Sequence, residues 1–421
     1  MNDICAIVLA AGQSSRFYPY NNFGHKSLIT LLGKTLISRT LSSLRDLGIK
    51  KVVIVQDLKK SVEKNLTSED LKNLDITFVI QKDPKGMGDA LLSAEKFLDN
   101  TFFVLSAYHF DFADFANDLI SAKKKDSDLV LLTQEGEDSS QFGAIEKKEG
   151  RMIIREKEKE NKKFKTKIIG IYLLNKNFVQ TLKNIKKSHY DFEDALSKYS
   201  EENELVLVDT KKPTLSVKFP WDLLTVKDYL LANLGTKISK KAKVSKSAIL
   251  KGEGIVVEDG ARILDGAVIN GPAYIGKKAY IGSNSVLRDG VSVEEGAIVG
   301  GYMEVKDSII MKHSTTHSGF IGNSVVGENS KVAASFVTAN VRLDRQDIKS
   351  IVKGEKIGTH RKYLGVFIGS NVSCGINVGT MPGVTIGNNV IIGPGTTIME
   401  NIPDDIAYYT EFNKIVQKKE E

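Results

Sequence analysis

Two groups of residues in this chain have the side-chain types and spacing to do chemistry. The first is the run Leu9-Ala10-Ala11-Gly12-Gln13-Ser14-Ser15-Arg16, which follows a short apolar stretch. Small residues after a strand let backbone N–H groups approach a phosphate, and a nearby arginine neutralises it. The same kind of turn also serves purely as a connection between elements, so the loop alone does not decide. The second group is His317, Asn340 and Lys349. An imidazole ordinarily titrates near working pH, so His317 is able to take up and return a proton. The bland alternative is a solvent-facing turn residue. His313 precedes His317 by four positions, which is metal-ligand spacing only on a helix, and this region does not read as one. The only cysteines are Cys5 and Cys374, which excludes a disulfide framework and every multi-cysteine zinc site.

The elements that must position these residues fall into two regions of different period. From Ile4 to about Leu231, apolar runs alternate with amphipathic stretches. Ile4–Leu9, Val52–Gln56, Ile76–Ile80, Phe102–Leu105 and Leu129–Leu132 read as buried strands. Leu36–Leu47, Asp89–Phe97 and Phe112–Lys123 read as connecting helices. That alternation predicts a mostly parallel sheet with helices on both faces. Beyond about Gly235, Val257, Ile263, Ile269, Ile275, Ile281, Leu287, Val293 and Val299 recur at a six-residue spacing. The register resumes at Ile368, Cys374, Thr380, Ile386, Ile392 and Ile398. Period six fits neither a helix nor a plain strand. It fits a triangular coil in which each flat face points one side chain inward and then turns. Gly276, Gly282, Gly369, Asn388 and Gly393 fall near the corners. Residues Val341 to Leu364 lack the period and should loop outward, and solenoid loops often carry the binding face. Cys374 takes an inward position, and Lys418 to Glu421 should fray.

Composition narrows the function. A chain of 421 residues with 41% hydrophobic and 26% charged residues is ordinary for a globular protein of two or three domains. The apolar run from Ile4 to Ala11 is too short to span a bilayer and follows Asp3, where a signal peptide would want positive charge. The expectation is a cytoplasmic protein without membrane association. The net charge of +7 is modest, and Glu156 to Lys167 alternates in sign as a solvated face does. No arginine–aromatic interleaving marks a nucleic-acid groove, so anionic small substrates explain the basic excess more simply.

Taken with further motifs, the first loop resembles the sugar-1-phosphate nucleotidylyltransferases. Their signature is a strand, L-A-A-G-x-G-[ST]-R, then P-K-x-L and G-K-P-L. Here these read Leu9 to Arg16, His25-Lys26-Ser27-Leu28 and Gly33-Lys34-Thr35-Leu36. The likeness continues through Gln81, Gly86-Met87-Gly88-Asp89-Ala90, Phe142-Gly143, Glu156-Lys157, Gly170-Ile171-Tyr172 and Pro220-Trp221-Asp222. Joined to a hexapeptide coil, the whole resembles the archaeal-type bifunctional enzymes of UDP-N-acetylglucosamine synthesis. That resemblance implies a Rossmann-type α/β nucleotidylyltransferase-like domain over 1–234 and a left-handed parallel β-helix over 235–421. It also implies a homotrimer held through the coil. Arg16 and Lys26 would hold nucleotide phosphates beside the backbone of Ala10, Ala11 and Gly12. Gln81 and Gly86 would face the base, and Gly143, Glu156 and Lys157 the sugar phosphate.

In the second half, His317-Ser-Gly-Phe-Ile-Gly-Asn resembles the family's H-x-x-Y-x-G-D, while Asn340 and Arg342 match T-A-N-L-R. The resemblance makes His317 the base that deprotonates an amine as it attacks acetyl-CoA. Asn340 would orient the sugar, Lys349 would meet its phosphate, and Ala334 and Ser370 would line the acetyl-CoA arm. Departures from the pattern sharpen the expectation. The family's two magnesium-binding aspartates align with Tyr108 and Ser216, neither of which supplies the hard carboxylate oxygen that magnesium needs. Asp111 or His109 would have to compensate from displaced positions. Ser14 stands for the second loop glycine, His25 for a proline, Ile168 for an asparagine and Phe320 for a tyrosine. The chain is therefore expected to bind sugar phosphate and nucleotide sugar, to acetylate an amino-sugar phosphate, and to have weak or lost nucleotidyl transfer. The alternative is a non-catalytic regulatory paralogue that binds a sugar nucleotide.

Overall fold

The computed structural model describes residues 4–21, 24–135, 143–148, 151–156 and 166–412. Contacts divide the chain into two compact units. One comprises Met1–Ser14, Phe23–Ile29 and Lys34–Ser216, the other Ser15–Asn22, Thr30–Gly33 and Val217–Glu421. The sequence pattern drew its division at 234/235, so this partition groups 217–234 with the coil instead.

The first unit is built on one nine-stranded sheet. Its strands are β1 (Cys5–Ala10), β2 (Lys51–Gln56), β3 (Asp75–Ile80), β4 (Thr101–Ser106), β5 (Leu129–Glu135), β6 (Gly143–Lys148), β7 (Arg151–Glu156), β8 (Thr166–Asn175) and β9 (Leu205–Asp209). The order is β9-β5-β8-β4-β1-β2-β3, parallel throughout except for β8. The β6–β7 hairpin attaches at β8. β1 is apolar along its length because both its faces are covered. Ala6 and Val8 pack with Ile37, Leu41 and Leu44, whereas Cys5 and Ile7 pack with Val53 and Phe102. Helix α1 (Leu36–Asp46) starts where the Thr35 side chain accepts from Ser38 N at 3.2 Å.

Two of the expected helices are shorter than their apolar patterns. Asp89–Phe97 resolves into α2 (Met87–Ser93) and a 3-10 turn over Glu95–Phe97. Phe112–Lys123 resolves into a 3-10 turn over Phe110–Asp114 and α3 (Ala116–Ala122). The break has a cause. Asp111 turns inward to meet His109 and the backbone of Leu215, which ties the turn down before a regular helix begins.

In the second unit the chain winds as a left-handed parallel β-helix with three sheets of eight, nine and eight strands. All the expected inward residues are buried, including Val257 through Val299 and Ile368 through Ile398. The glycines near the corners have a reason other than the one their type suggested. Gly276, Gly282, Gly369 and Gly393 keep ordinary φ, while the left-handed corner residues include Lys278, Asn284, Asn371 and Asn389. A Cβ at Gly282 would lie 2.4 Å from the backbone of Gly301 on the next turn. Close approach of turns, not left-handed φ, demands glycine there.

The coil is also more continuous than its period. Ile281 pairs with Val299, a full turn of three repeats. Farther along, Ile298 pairs with Thr315 and Ile309 with Val325, where full turns would reach Thr316 and Gly327. Later turns drop a residue or two at a corner and stay in register. Only the segment between Thr338 and Phe367 departs, carrying an antiparallel hairpin of Lys349–Val352 and Glu355–Gly358. The first of the three faces is covered by chain of the same unit. Tyr20 donates to Val325 O (3.0 Å), Tyr18 to Asp404 Oδ1 (2.8 Å), and Leu32 N and Gly33 N to the Glu294 carboxylate. Helix α4 (Asp222–Ala232) belongs to this unit.

Candidate functional site

In the first unit Ala10, Ala11 and Gly12 lie at the carboxyl end of β1, and Tyr108 follows that of β4, the edge where open α/β sheets bind ligands. Ala10 ends β1 beside Gln56 and Ala11 is half-buried. Gly12 is exposed, and a Cβ there would meet nothing within 4 Å, so its backbone is open to an approaching anion. Ser14 takes φ 52, the left-handed conformation that a glycine adopts without strain. Its hydroxyl accepts from Lys26 N at 3.3 Å.

Lys26 opens a 3-10 turn capped by His25, whose Nδ1 accepts from Ser27 N at 3.3 Å. Burial and the neighbouring Lys26 charge push the His25 pKa down to about 3, so the imidazole is neutral at working pH. It caps the turn without adding charge. The Lys26 ammonium lies over the Tyr108 ring, 4.4 Å from its centre. Arg16 falls with the second unit, its guanidinium 5.9 Å from the centre of the Phe219 ring. Gln81 is buried and committed, its Nε2 donating to Gly86 O (3.1 Å) and Asp89 Oδ2 (2.7 Å). Gly86 has φ 124, and a Cβ there would stand 2.6 Å from His189 O. Gly143 and Glu156 are direct partners across the β6–β7 hairpin. Phe142 and Lys157 lie outside the described residues, as does most of Glu156 to Lys167 and all of Lys418 to Glu421.

These residues do not fit magnesium. The face of Tyr108 is taken by a cation, and Ser216, half-buried, offers a hydroxyl. Asp111 does not compensate: it is buried, with Oδ1 3.2 Å from His109 Nδ1 and Oδ2 accepting from Leu215 N at 3.1 Å. Among the described residues no group of three or more His, Cys, Asp or Glu side chains is arranged to hold a metal ion. At the aligned asparagine position, Ile168 is a buried residue of β8.

In the coil, the third-face strand Gly319–Gly322 organises the site. His317 stands exposed just before it, its backbone N donating to Val332 O at 2.9 Å. At the other end, a Cβ on Gly322 would meet Phe320 Cζ at 2.5 Å and Asn340 Nδ2 at 2.8 Å, so Phe320 and Asn340 are neighbours. Phe320 itself follows His317 by three residues along this strand. Ala334 shares the His317 corner one turn on, where Ser335 N donates to Ser318 Oγ at 3.3 Å. Lys349 is exposed at the start of the inserted hairpin, whose backbone packs against Gly383. Ser370 sits at a different corner, buried, its N donating to Asn388 Oδ1 at 2.9 Å. One chain therefore joins Phe320 to Asn340 and the corner of His317 to that of Ala334.

A polar group that sequence reading missed lies behind Asn340. Lys227 of α4 is fully buried and bonds to Gly290 O (2.6 Å) and Asp307 Oδ1 (2.7 Å). Its signal was present: Leu223, Leu224, Leu230 and Leu231 flank it at core spacing, so a lysine stands in the apolar stripe of the helix.

Comparison with known proteins agrees with this architecture. The Nucleotidyl transferase family matches residues 5–234, and Bacterial transferase hexapeptide (six repeats) matches residues 254–289. Proteins named Bifunctional protein GlmU are similar over almost the whole chain. The one from Methanococcus aeolicus is 32% identical, covering 98% of this chain and 99% of its own. The one from Methanococcus vannielii is 30% identical with the same coverage. A Bifunctional sugar-1-phosphate nucleotidylyltransferase/acetyltransferase of Sulfurisphaera tokodaii is 30% identical, covering 97% of this chain and 100% of its own. With both domains matched in order and relatives aligned from end to end, the chain belongs to the bifunctional sugar-1-phosphate nucleotidylyltransferase/acetyltransferase family.

Proposed function

We propose that the β-helix acetylates an amino-sugar phosphate with acetyl-CoA, while the first unit binds a sugar phosphate or nucleotide sugar and has little or no nucleotidyl transfer. The reading rests on the third-face strand, with an exposed imidazole at its start and Asn340 beside Phe320 at its end. His317 takes a proton from the substrate amine as the nitrogen attacks the thioester carbonyl carbon. The C–S bond then breaks, and the leaving thiolate takes that proton to give free CoA and an amide. The reading includes a homotrimer in which the site is completed between neighbouring coils. Exposed apolar residues on the second and third faces, Ile298, Val337, Ile391 and Met399, support the same assembly. No helix among the described residues is long and apolar enough to cross a membrane. Both cysteines are buried, with their thiol pKa values pushed up to about 11 and about 12 by desolvation, which suits a cytoplasmic protein with no disulfide.

A second reading has its own support: Phe320 lacks the hydroxyl its family counterpart carries, and Tyr108 and Ser216 lack carboxylates. It makes the chain a non-catalytic paralogue that binds a sugar nucleotide. A coupled assay with several sugar-1-phosphates, UTP, dTTP and acetyl-CoA separates the two, provided pyrophosphate and free CoA are read independently. CoA release without pyrophosphate supports the first reading. Silence in both channels, with binding retained, supports the second.

A further inference from the structure

The corner of the coil that carries Asn340 is a stack of polar residues on successive turns. Lys227 Nζ donates to Asp307 Oδ1 at 2.7 Å, Asn323 Nδ2 to Asp307 Oδ2 at 2.5 Å, and Asn340 Nδ2 to Asn323 Oδ1 at 2.7 Å. Lys227 also meets Gly290 O and Asp228 Oδ1, each at 2.6 Å. A Cβ on Gly290 would lie 3.2 Å from the Lys227 nitrogen, so that corner is tightly built around the ammonium. The backbone holds the same stack in place through Leu364 N to Asn340 O and Gly365 N to Asn323 O, both at 2.9 Å.

The direction of every bond in this stack is fixed by its charged end. An ammonium only donates and an ionised carboxylate only accepts. Asp307 between Lys227 and Asn323 therefore requires Asn323 to present its NH₂ to the carboxylate. The other end of the Asn323 amide, its carbonyl oxygen, must then face Asn340, which presents its own NH₂ in turn. Asn340 is left with its carbonyl oxygen for whatever binds the face beside Phe320. Among the described residues nothing donates to that oxygen.

We propose that Lys227 is a positioning residue that sets, through Asp307 and Asn323, the orientation of the Asn340 amide. Asn340 thereby presents a hydrogen-bond acceptor and selects a ligand with a donor, a sugar hydroxyl or amine N–H. The identity of that ligand as an amino-sugar phosphate rests on the function proposed above; the polarity of the stack does not.

The test replaces the charged end of the stack without leaving a buried charge unpaired. The double variant Lys227→Met/Asp307→Asn keeps the bulk and puts at position 307 an amide able to donate or accept. The Asn323 and Asn340 amides then lose their imposed direction. Measurements on the full chain are calorimetric binding of glucosamine-1-phosphate, KM and kcat for CoA release, thermal midpoint and oligomeric state. With midpoint and oligomeric state retained, the sugar-phosphate Kd and KM should rise about tenfold, the scale of one hydrogen bond, and the KM for acetyl-CoA should stay within about twofold. Asn323→Leu, which cuts the stack in the middle, should reproduce this split. Unchanged sugar-phosphate affinity in both folded variants overturns the proposal. If the unmodified chain binds glucosamine-1-phosphate without releasing CoA, acetyl transfer is refuted and calorimetry still reads the relay. If it binds no amino-sugar phosphate at all, the selection of such a ligand by Asn340 is refuted as well.

Discussion

Lys26 holds its ammonium 4.4 Å from the centre of the Tyr108 ring, at the position where the family signature places a carboxylate. A positive group thus lies over the side chain that stands in place of the family's carboxylate. A cation over an aromatic ring is held by about 0.5–2 kcal/mol, weak enough for a phosphate to recruit the ammonium. Binding of a nucleotide sugar should therefore be measurable by calorimetry and change little between magnesium and EDTA. Lys26→Ala should weaken it about tenfold or more. Tyr108→Asp with Ser216→Asp should introduce magnesium dependence, although Ser14 and Ile168 remain unlike the family pattern. Strong magnesium-dependent pyrophosphate release by the unmodified chain would contradict this picture of the first unit.

Acetyl transfer should depend on His317. Loss of a general base lowers rates by roughly 10²-fold or more, so His317→Ala should reduce CoA release on that scale. Phe320→Tyr places a hydroxyl next to Asn340 and should leave the rate unchanged or raise it. CoA release that ignores His317→Ala would remove the imidazole from the mechanism.

Assembly is testable apart from chemistry. The first face of the coil is covered by chain of its own unit, so association should use the second and third faces. Light scattering at micromolar concentration should give three times the chain mass or a multiple of it. Val337→Asp and Ile391→Asp, both at exposed apolar positions, should shift the mass downward. A monomeric unmodified chain would rule out the trimer.

Acid should destabilise the first unit through His25. Its pKa is about 3 in the folded chain against an ordinary 6.5, so the unfolded chain binds the extra proton between those values. Stability from this group is then complete above about pH 6.5 and falls as pH drops, at up to about 1.4 kcal/mol per pH unit. His25→Asn keeps an acceptor for the Ser27 backbone and removes the titration. Urea unfolding at pH 7 and pH 5 should show a smaller acid loss in the variant. An equal loss in both would place the acid sensitivity elsewhere.

The sequence by itself determined the two kinds of architecture, because each is written in a local period. Apolar runs of strand length separated by amphipathic stretches specify a sheet covered on both faces. An aliphatic residue every sixth position from Val257 to Val299 leaves only a triangular coil. It also pointed to the loop at Gly12, the lysine at 26 and the imidazole at 317 as candidate site residues, through motifs contiguous along the chain.

Tertiary structure decided what depends on which turn lies beside which. The shortened turns hid the coil from Val305 to Phe336, because dropping a residue at a corner destroys the spacing while leaving the hydrogen-bonded register intact. Gly282 is required by the backbone of Gly301 one turn away, a contact no local pattern contains. The direction of the Asn340 amide is set by Lys227, far away in sequence, through side chains that stack only once the coil is wound. Hydrogen-bond polarity passes between neighbours in space, and the chain order of 227, 307, 323 and 340 gives no sign of it.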